Sequence, residues 1–205
     1  MRKTATRQRG MTLIESMVAL AVAIVGILGI VGMQVRTLAD TQTSVRRAQA
    51  VRLIEDLSER LRVNPSGLGN IQAYVSGFGN VPGGFGDCVG GECSNTALAT
   101  YDVGVWKQAV GNMLPLGQAA IFLAPGENNV VTPNPNRRQL GVMVAWRENE
   151  RDTGADYKTP IDVTLGDVTT ACPADFTCHL QYIAVAGRCI PDQGSGTVQY
   201  YCAGG

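Results

Sequence analysis

Residues 10–16 read Gly-Met-Thr-Leu-Ile-Glu-Ser, and behind them the stretch from Met17 to Val35 is apolar except at Gln34. Four bases, Arg2, Lys3, Arg7 and Arg9, precede the junction without a single acid. A secretory signal peptide is cut after its apolar segment. Here the clearest small-residue junction lies before it, so processing at Gly10 leaves the apolar helix on the mature protein. At about 1.5 Å per residue the stretch reaches roughly 28 Å, close to the thickness of a hydrocarbon core. One span is expected, with the basic leader kept cytoplasmic and the remaining chain sent outward. Ala19-Leu20-Ala21 and Ala21-Val22-Ala23 have the form of signal-peptidase sites, but apolar residues run well past both. A plain signal anchor is the other bland reading.

The periodicity changes after the span. Ala50, Leu53, Ile54, Leu57 and Leu61 fall on one helical face, and Arg52, Glu55, Asp56, Glu59 and Arg62 lie opposite. Arg52 with Asp56, and Asp56 with Arg60, have the i,i+4 spacing of weak ion pairs on a solvated face. Asn64-Pro65 closes the pattern, because proline lacks the donor and restricts the residue before it. No proline occurs between Met11 and Val63, so a helix on the order of 80 Å is expected. Gly26, Gly29 and Gly32 each weaken its interior by roughly 1 kcal/mol. They either let another membrane helix approach closely or mark a stretch that loosens during assembly.

The Gly-x-Thr-Leu-Ile-Glu junction, the basic leader and the retained helix resemble the class III leader of type IV prepilins and pseudopilins. The segment through Asn64 is most similar to minor pilins of the pilus-modification family. The resemblance implies cleavage after Gly10 by a membrane aspartyl prepilin peptidase and methylation of the new amino terminus at Met11, where the family usually has phenylalanine. It also implies that Glu15 meets a neighbouring subunit's amino-terminal cation in a filament. A carboxylate at the apolar end of a membrane helix costs a few kcal/mol unless paired, which makes such a partner physically reasonable. Thr12 and Glu15 also have the spacing of a capping box, which needs no filament.

The division expected is a leader over 1–10, a membrane and filament-core half-helix over 11–35, an amphipathic half-helix over 36–64, and a periplasmic domain over 65–205. That last part is long enough for its own core. It opens with a glycine-rich loop, Ser76 to Gly91, which lacks the Gly-Lys-Ser/Thr ending of a phosphate-binding loop. Asn95 to Met113 reads as a helix capped by Ser94 or Asn95, with Leu98, Tyr101, Val105, Ala109 and Met113 on one face. Leu140, Val142, Val144 and Trp146 alternate with Gly141, Met143 and Ala145 as a strand. Gln118 to Leu123 and Cys178 to Ala186 are its expected partners. Long polar connections, Gly126 to Arg138 and Glu148 to Pro160, separate them. An α+β fold is expected, a small antiparallel meander laid on a long amino-terminal helix with a disulfide-bonded carboxy-terminal region, and this arrangement is also what the resemblance to type IV pilins implies.

All six cysteines follow the span, where disulfides persist. Local pairing joins Cys88 to Cys93, Cys172 to Cys178 and Cys189 to Cys202, one of about 15 possible connectivities. The last pair corresponds to the disulfide-closed carboxy-terminal loop of many pilins. Their spacing fits no standard zinc finger, and His179 is the single histidine. We read His179 as a surface histidine in a strand, with no catalytic set around it. Glu148, Glu150, Asp152 and Asp156 read as a solvated loop, since Arg147 and Arg151 interleave and no EF-hand pattern appears. Neither an enzyme nor a cofactor is expected.

The chain carries 17 basic and 17 acidic residues, and loss of the leader's four bases takes the mature chain to a formal charge near −4. Net charge therefore gives no support to nucleic-acid binding. The function expected is that of a minor pilin in a priming or tip complex of a type IV pilus, supporting twitching and adhesion. Its implied partners are other minor and major pilins, the prepilin peptidase, the inner-membrane assembly platform and membrane lipid. Its implied location is the inner membrane of a Gram-negative cell, crossed once, and then the pilus. A type II secretion pseudopilin uses the same physics in a shorter filament. A membrane-anchored periplasmic binding module is the alternative from another class.

Overall fold

An uninterrupted α-helix, α1 (Leu13–Val63), carries both the apolar and the amphipathic patterns. The computed structural model describes residues 12–79, 86–124, 139–148, 163–165, 168–185, 189–192 and 199–202, and of 163–165, 168–169, 189–192 and 199–202 the backbone alone. The chain falls into two units, the first ending at Val45 and the second beginning at Arg46.

In the second unit α1 buries Ala50, Leu53, Ile54, Leu57 and Leu61, the stripe expected from its spacing. Its end is held by a polar relay. The Asn64 amide donates to the Tyr74 hydroxyl at 3.0 Å and to the Asn95 carbonyl at 2.9 Å, and the Asn95 amide donates to Ser66 at 2.8 Å. A 3-10 turn (Ile71–Tyr74) then buries Ile71 and Tyr74.

The second helix, α2 (Asn95–Met113), begins at Ser94, whose hydroxyl accepts from the Ala97 amide at 3.2 Å, and ends at Leu114 before Pro115. Its bounds and cap are those expected, but its inward face is not. Ala99, Val103, Trp106 and Val110 are buried, whereas Val105 and Ala109 are half-buried and Met113 is exposed. Apolar residues occupy most of the circumference of α2, and the buried stripe also contains Asp102 and Lys107. Both charges have partners, which is what permits that stripe to turn inward. Arg60 lies 3.6 Å from Asp102 and 2.9 Å from Asp56, so the charged face of α1 is partly a clasp for α2. Asp56 pairs with Arg60, and no Arg52–Asp56 pair forms among the described residues.

Lys107 donates to the Ser76 hydroxyl at 2.7 Å and to the Gly77 carbonyl. Burial lowers its pKa from 10.5 to about 8. Between those values the unfolded chain holds a proton that the folded chain has released. Stability therefore rises with pH across this window, by at most about 3 kcal/mol. Tyr74 acts in the opposite sense: burial pushes its phenol from 10.0 up to about 12, so above roughly pH 10 the folded chain keeps a proton the unfolded chain loses and stability falls. The expected profile of urea midpoints climbs from pH 8 and turns over near pH 10. Lys107→Met flattens the climbing limb and leaves the falling one.

The main sheet is antiparallel with strands β1 (Gln118–Leu123), β2 (Gln139–Trp146) and β5 (Thr177–Ala184) in the order β1-β2-β5. A hairpin of β3 (Val163–Leu165) and β4 (Val168–Thr170) is inserted between β2 and β5, so the meander is interrupted. A second hairpin, β6 (Cys189–Asp192) with β7 (Gln199–Cys202), forms its own two-stranded sheet. One sheet face, with Ile121, Leu140, Val142, Val144, Trp146 and Ile183, joins the α1 stripe and Trp106 in the main core. The other face holds a smaller cluster of Phe122, Met143 and Cys172, with Phe78, Phe176 and Leu180 packed on it. The central strand β2 is consequently buried on both sides.

Gly141 has a packing reason. It lies opposite Phe122 on one side and Tyr182 on the other, and a Cβ there would run into the Phe122 ring. The ring lies over the glycine and meets Tyr182 edge-on, with centroids 6.4 Å apart. Overfilling this line costs about 1–3 kcal/mol. Thermal unfolding of Gly141→Ala is expected to show that loss, whereas in a Phe122→Ala background the same change adds nothing further.

Candidate functional site

The apolar end of α1 is built for something outside this chain. Thr12 starts the helix, its carbonyl accepting from the amides of Glu15 at 3.0 Å and Ser16 at 3.3 Å. Among the described residues the Thr12 hydroxyl and the Glu15 carboxylate make none of the reciprocal side-chain bonds of a capping box. Glu15 is exposed in the first turn. Gly10 and Met11 lie outside the described residues.

From Leu13 to Leu38 the large apolar side chains are exposed, Leu13 at 80%, Val25 at 70% and Met33 at 67% among them. The most apolar window of α1 has a mean hydropathy of 2.5, long and apolar enough to cross a membrane. Water makes such exposure costly at about 25 cal/mol per Å², so a lipid or protein environment must cover it. A Cβ at Gly26, Gly29 or Gly32 would meet nothing within 4 Å. Packing among the described residues therefore does not require these glycines.

Two disulfides fall on the expected local pairs, Cys88–Cys93 with Cα atoms 5.6 Å apart and Cys172–Cys178 with 6.0 Å. Both spans lie in the usual range. Asp175 takes a left-handed φ of 61° in the second loop, a conformation that aspartate tolerates. The backbone register of β6 and β7 sets Cys189 opposite Cys202. Their side chains lie outside the described ones.

Two expectations about charged residues change. His179 is not a free surface histidine: it is half-buried on the face of β5 turned to α1, opposite Val144, and burial together with Arg47 lowers its pKa. Glu148 is not solvated, since its side chain is 4% exposed and lies 3.8 Å from Arg46. Glu150, Asp152 and Asp156 lie outside the described residues, as do nearly all residues of the two long polar connections. Among the described residues no three His, Cys, Asp or Glu side chains converge as a metal site would require. The Arg60–Asp102 and Lys107–Ser76 contacts escaped the sequence reading, because a charged residue in an apolar helix carries no local mark of its partner.

Comparison with protein families matches residues 5–31 to the prokaryotic N-terminal methylation motif and residues 32–104 to the family described as type IV pilin Tt1218. Neither the curated proteins nor the solved structures give a match.

Proposed function

We propose that this chain is a minor pilin that enters a pilus priming or tip complex through α1, a reading supported by its matches to a type IV pilin family and to the N-terminal methylation motif. The observation that carries this reading is the first turn of α1, where an uncapped, exposed Glu15 stands at the head of a long exposed apolar surface. A carboxylate there costs a few kcal/mol in lipid unless a cation joins it. The free amino terminus produced at Met11 in a neighbouring subunit is such a cation. Its partners would be other pilins, the prepilin peptidase and the inner-membrane assembly platform, with the second unit in the periplasm before incorporation. The work is association, and no step in it requires catalysis by this chain. A type II secretion pseudopilin would use the same helix, and a deletion strain separates the two: twitching is lost with secretion intact for the pilus reading, and the reverse for the other.

Intact-mass analysis of protein extracted from membranes, with and without the peptidase, tests the class directly. The expected product lacks residues 1–10 and carries one added methyl at Met11, and both changes depend on the peptidase. An uncleaved chain, or one cut after Ala21 or Ala23, would remove the filament mechanism and leave a membrane-anchored module.

A further inference from the structure

The main sheet has two edges, and they are treated differently. On the β1 edge Ile121 exchanges both backbone bonds with Ser76, at 2.9 and 2.8 Å. That exchange fixes the alternation across the sheet. With Ile121 bonding outward, Leu140, Val142 and Val144 bond β5, and in β5 the N–H and C=O groups of Leu180, Tyr182 and Ala184 point away from β2. These outward groups meet no backbone partner in the described chain. An edge of this kind is normally blunted by lysine, proline or a bulge. The sequence Cys178-His-Leu-Gln-Tyr-Ile-Ala184 contains no lysine and no proline, and its register with β2 runs without a bulge.

Beside this edge lies a groove of about 510 Å³ between Gln181–Ala184 and the α1 residues Glu55, Ser58, Glu59 and Arg62. Its charged groups are two acids and one base. Glu59 is occupied by Arg62 at 2.8 Å, whereas exposed Glu55 makes no ion pair among the described residues. The two sides of the edge differ in character: Gln181 and Ile183 face α1, while Leu180 packs with the outer cluster and Tyr182 with Phe122.

We propose that the outer edge of β5 is a strand-addition site for an extended segment of another protein that alternates apolar side chains with polar ones, a basic residue among the polar set lying opposite Glu55. The incoming backbone would bond Leu180, Tyr182 and Ala184. One set of its side chains would enter the groove, a base meeting Glu55, and the alternate apolar set would lie on Leu180 and Tyr182. The main-chain bonds give affinity, and the alternation with the unpaired acid gives selectivity.

The test uses the full chain in uncharged detergent micelles and a blocked peptide alternating lysine and valine. Expected are slowed amide exchange at Leu180, Tyr182 and Ala184, and affinity about tenfold weaker when the same residues are arranged in blocks. In Glu55→Lys the preference should reverse toward a peptide alternating glutamate and valine. Binding that leaves those three amides unprotected, equal binding by the block peptide, or no binding at millimolar peptide would each overturn the proposal. The wild-type exchange pattern decides it even if the variant folds poorly, and none of these results bears on cleavage at Gly10.

Discussion

Trp106→Ala is expected to cost the second unit about 4 kcal/mol, near the top of the range for a single core substitution. Trp106 is fully buried at the centre of the α2 stripe, and its indole N–H donates to the Leu53 carbonyl on α1 at 2.6 Å. Alanine loses the ring's transfer free energy and opens a cavity between two helices and the sheet, which are held apart by other contacts and cannot simply collapse. For a domain of this size the loss corresponds to a fall of about 8–16 °C in melting temperature. Urea unfolding in micelles, followed through the emission of buried Trp146, measures it. Trp106→Phe separates the contributions. It keeps most of the volume, and the Leu53 carbonyl retains its own helical bond, so that variant should lose only about 1–2 kcal/mol. Equal losses for alanine and phenylalanine would show that the hydrogen bond, not the filling of space, holds α2 to α1.

How much of this was legible in the sequence depended on whether the signal was local. The bounds of α1 and α2, the Ser94 cap and strand β1 appeared where periodicity and caps placed them, because each is determined by neighbouring residues. The buried stripe of α1 was equally legible, since its other face is uniformly charged. On α2 two apolar stripes competed, and the one containing Asp102 and Lys107 won. Arg60 and the Ser76–Gly77 segment, remote in sequence, help to make that choice affordable. His179 and Glu148 failed for the same reason: each is at least partly buried near an arginine of α1, Arg47 acting on His179 and Arg46 lying beside Glu148, and nothing near either residue in sequence announces it. The two local disulfides are the nearest-neighbour choice among about 15 connectivities, and their separations of 5 and 6 let each close a short loop. The interrupted meander was not, because β3 and β4 are three-residue strands whose pairing carries no pattern long enough to read. At the candidate site the order was reversed. The leader and Glu15 were read through a resemblance to a known family, while the lack of capping-box side-chain bonds among the described residues required coordinates.

Glu15→Leu is the substitution expected to have the largest effect on assembly. The change is mild for the isolated helix, since leucine has the better propensity and removes a charge from the apolar end. Under the proposed function, membrane insertion, cleavage after Gly10 and the fold of the second unit should all persist, and the variant should accumulate in the inner membrane. Incorporation into filaments should fall by about 100-fold or more. In a filament core the neighbour's amino-terminal cation would be left buried without its partner, a loss of about 3–5 kcal/mol. Glu15→Gln distinguishes a charge pair from a hydrogen bond: glutamine keeps the shape and an acceptor but cannot neutralise a cation, so it should fail nearly as badly. The decisive comparison is the ratio of sheared-filament to membrane-bound protein for wild type, Glu15→Gln and Glu15→Leu, with cleavage checked by mass in each. Failure of leucine with retention by glutamine would reduce Glu15 to a neutral acceptor. An unchanged ratio in both would mean that the exposed helix serves the bilayer alone, and the work of the chain would then lie in its second unit.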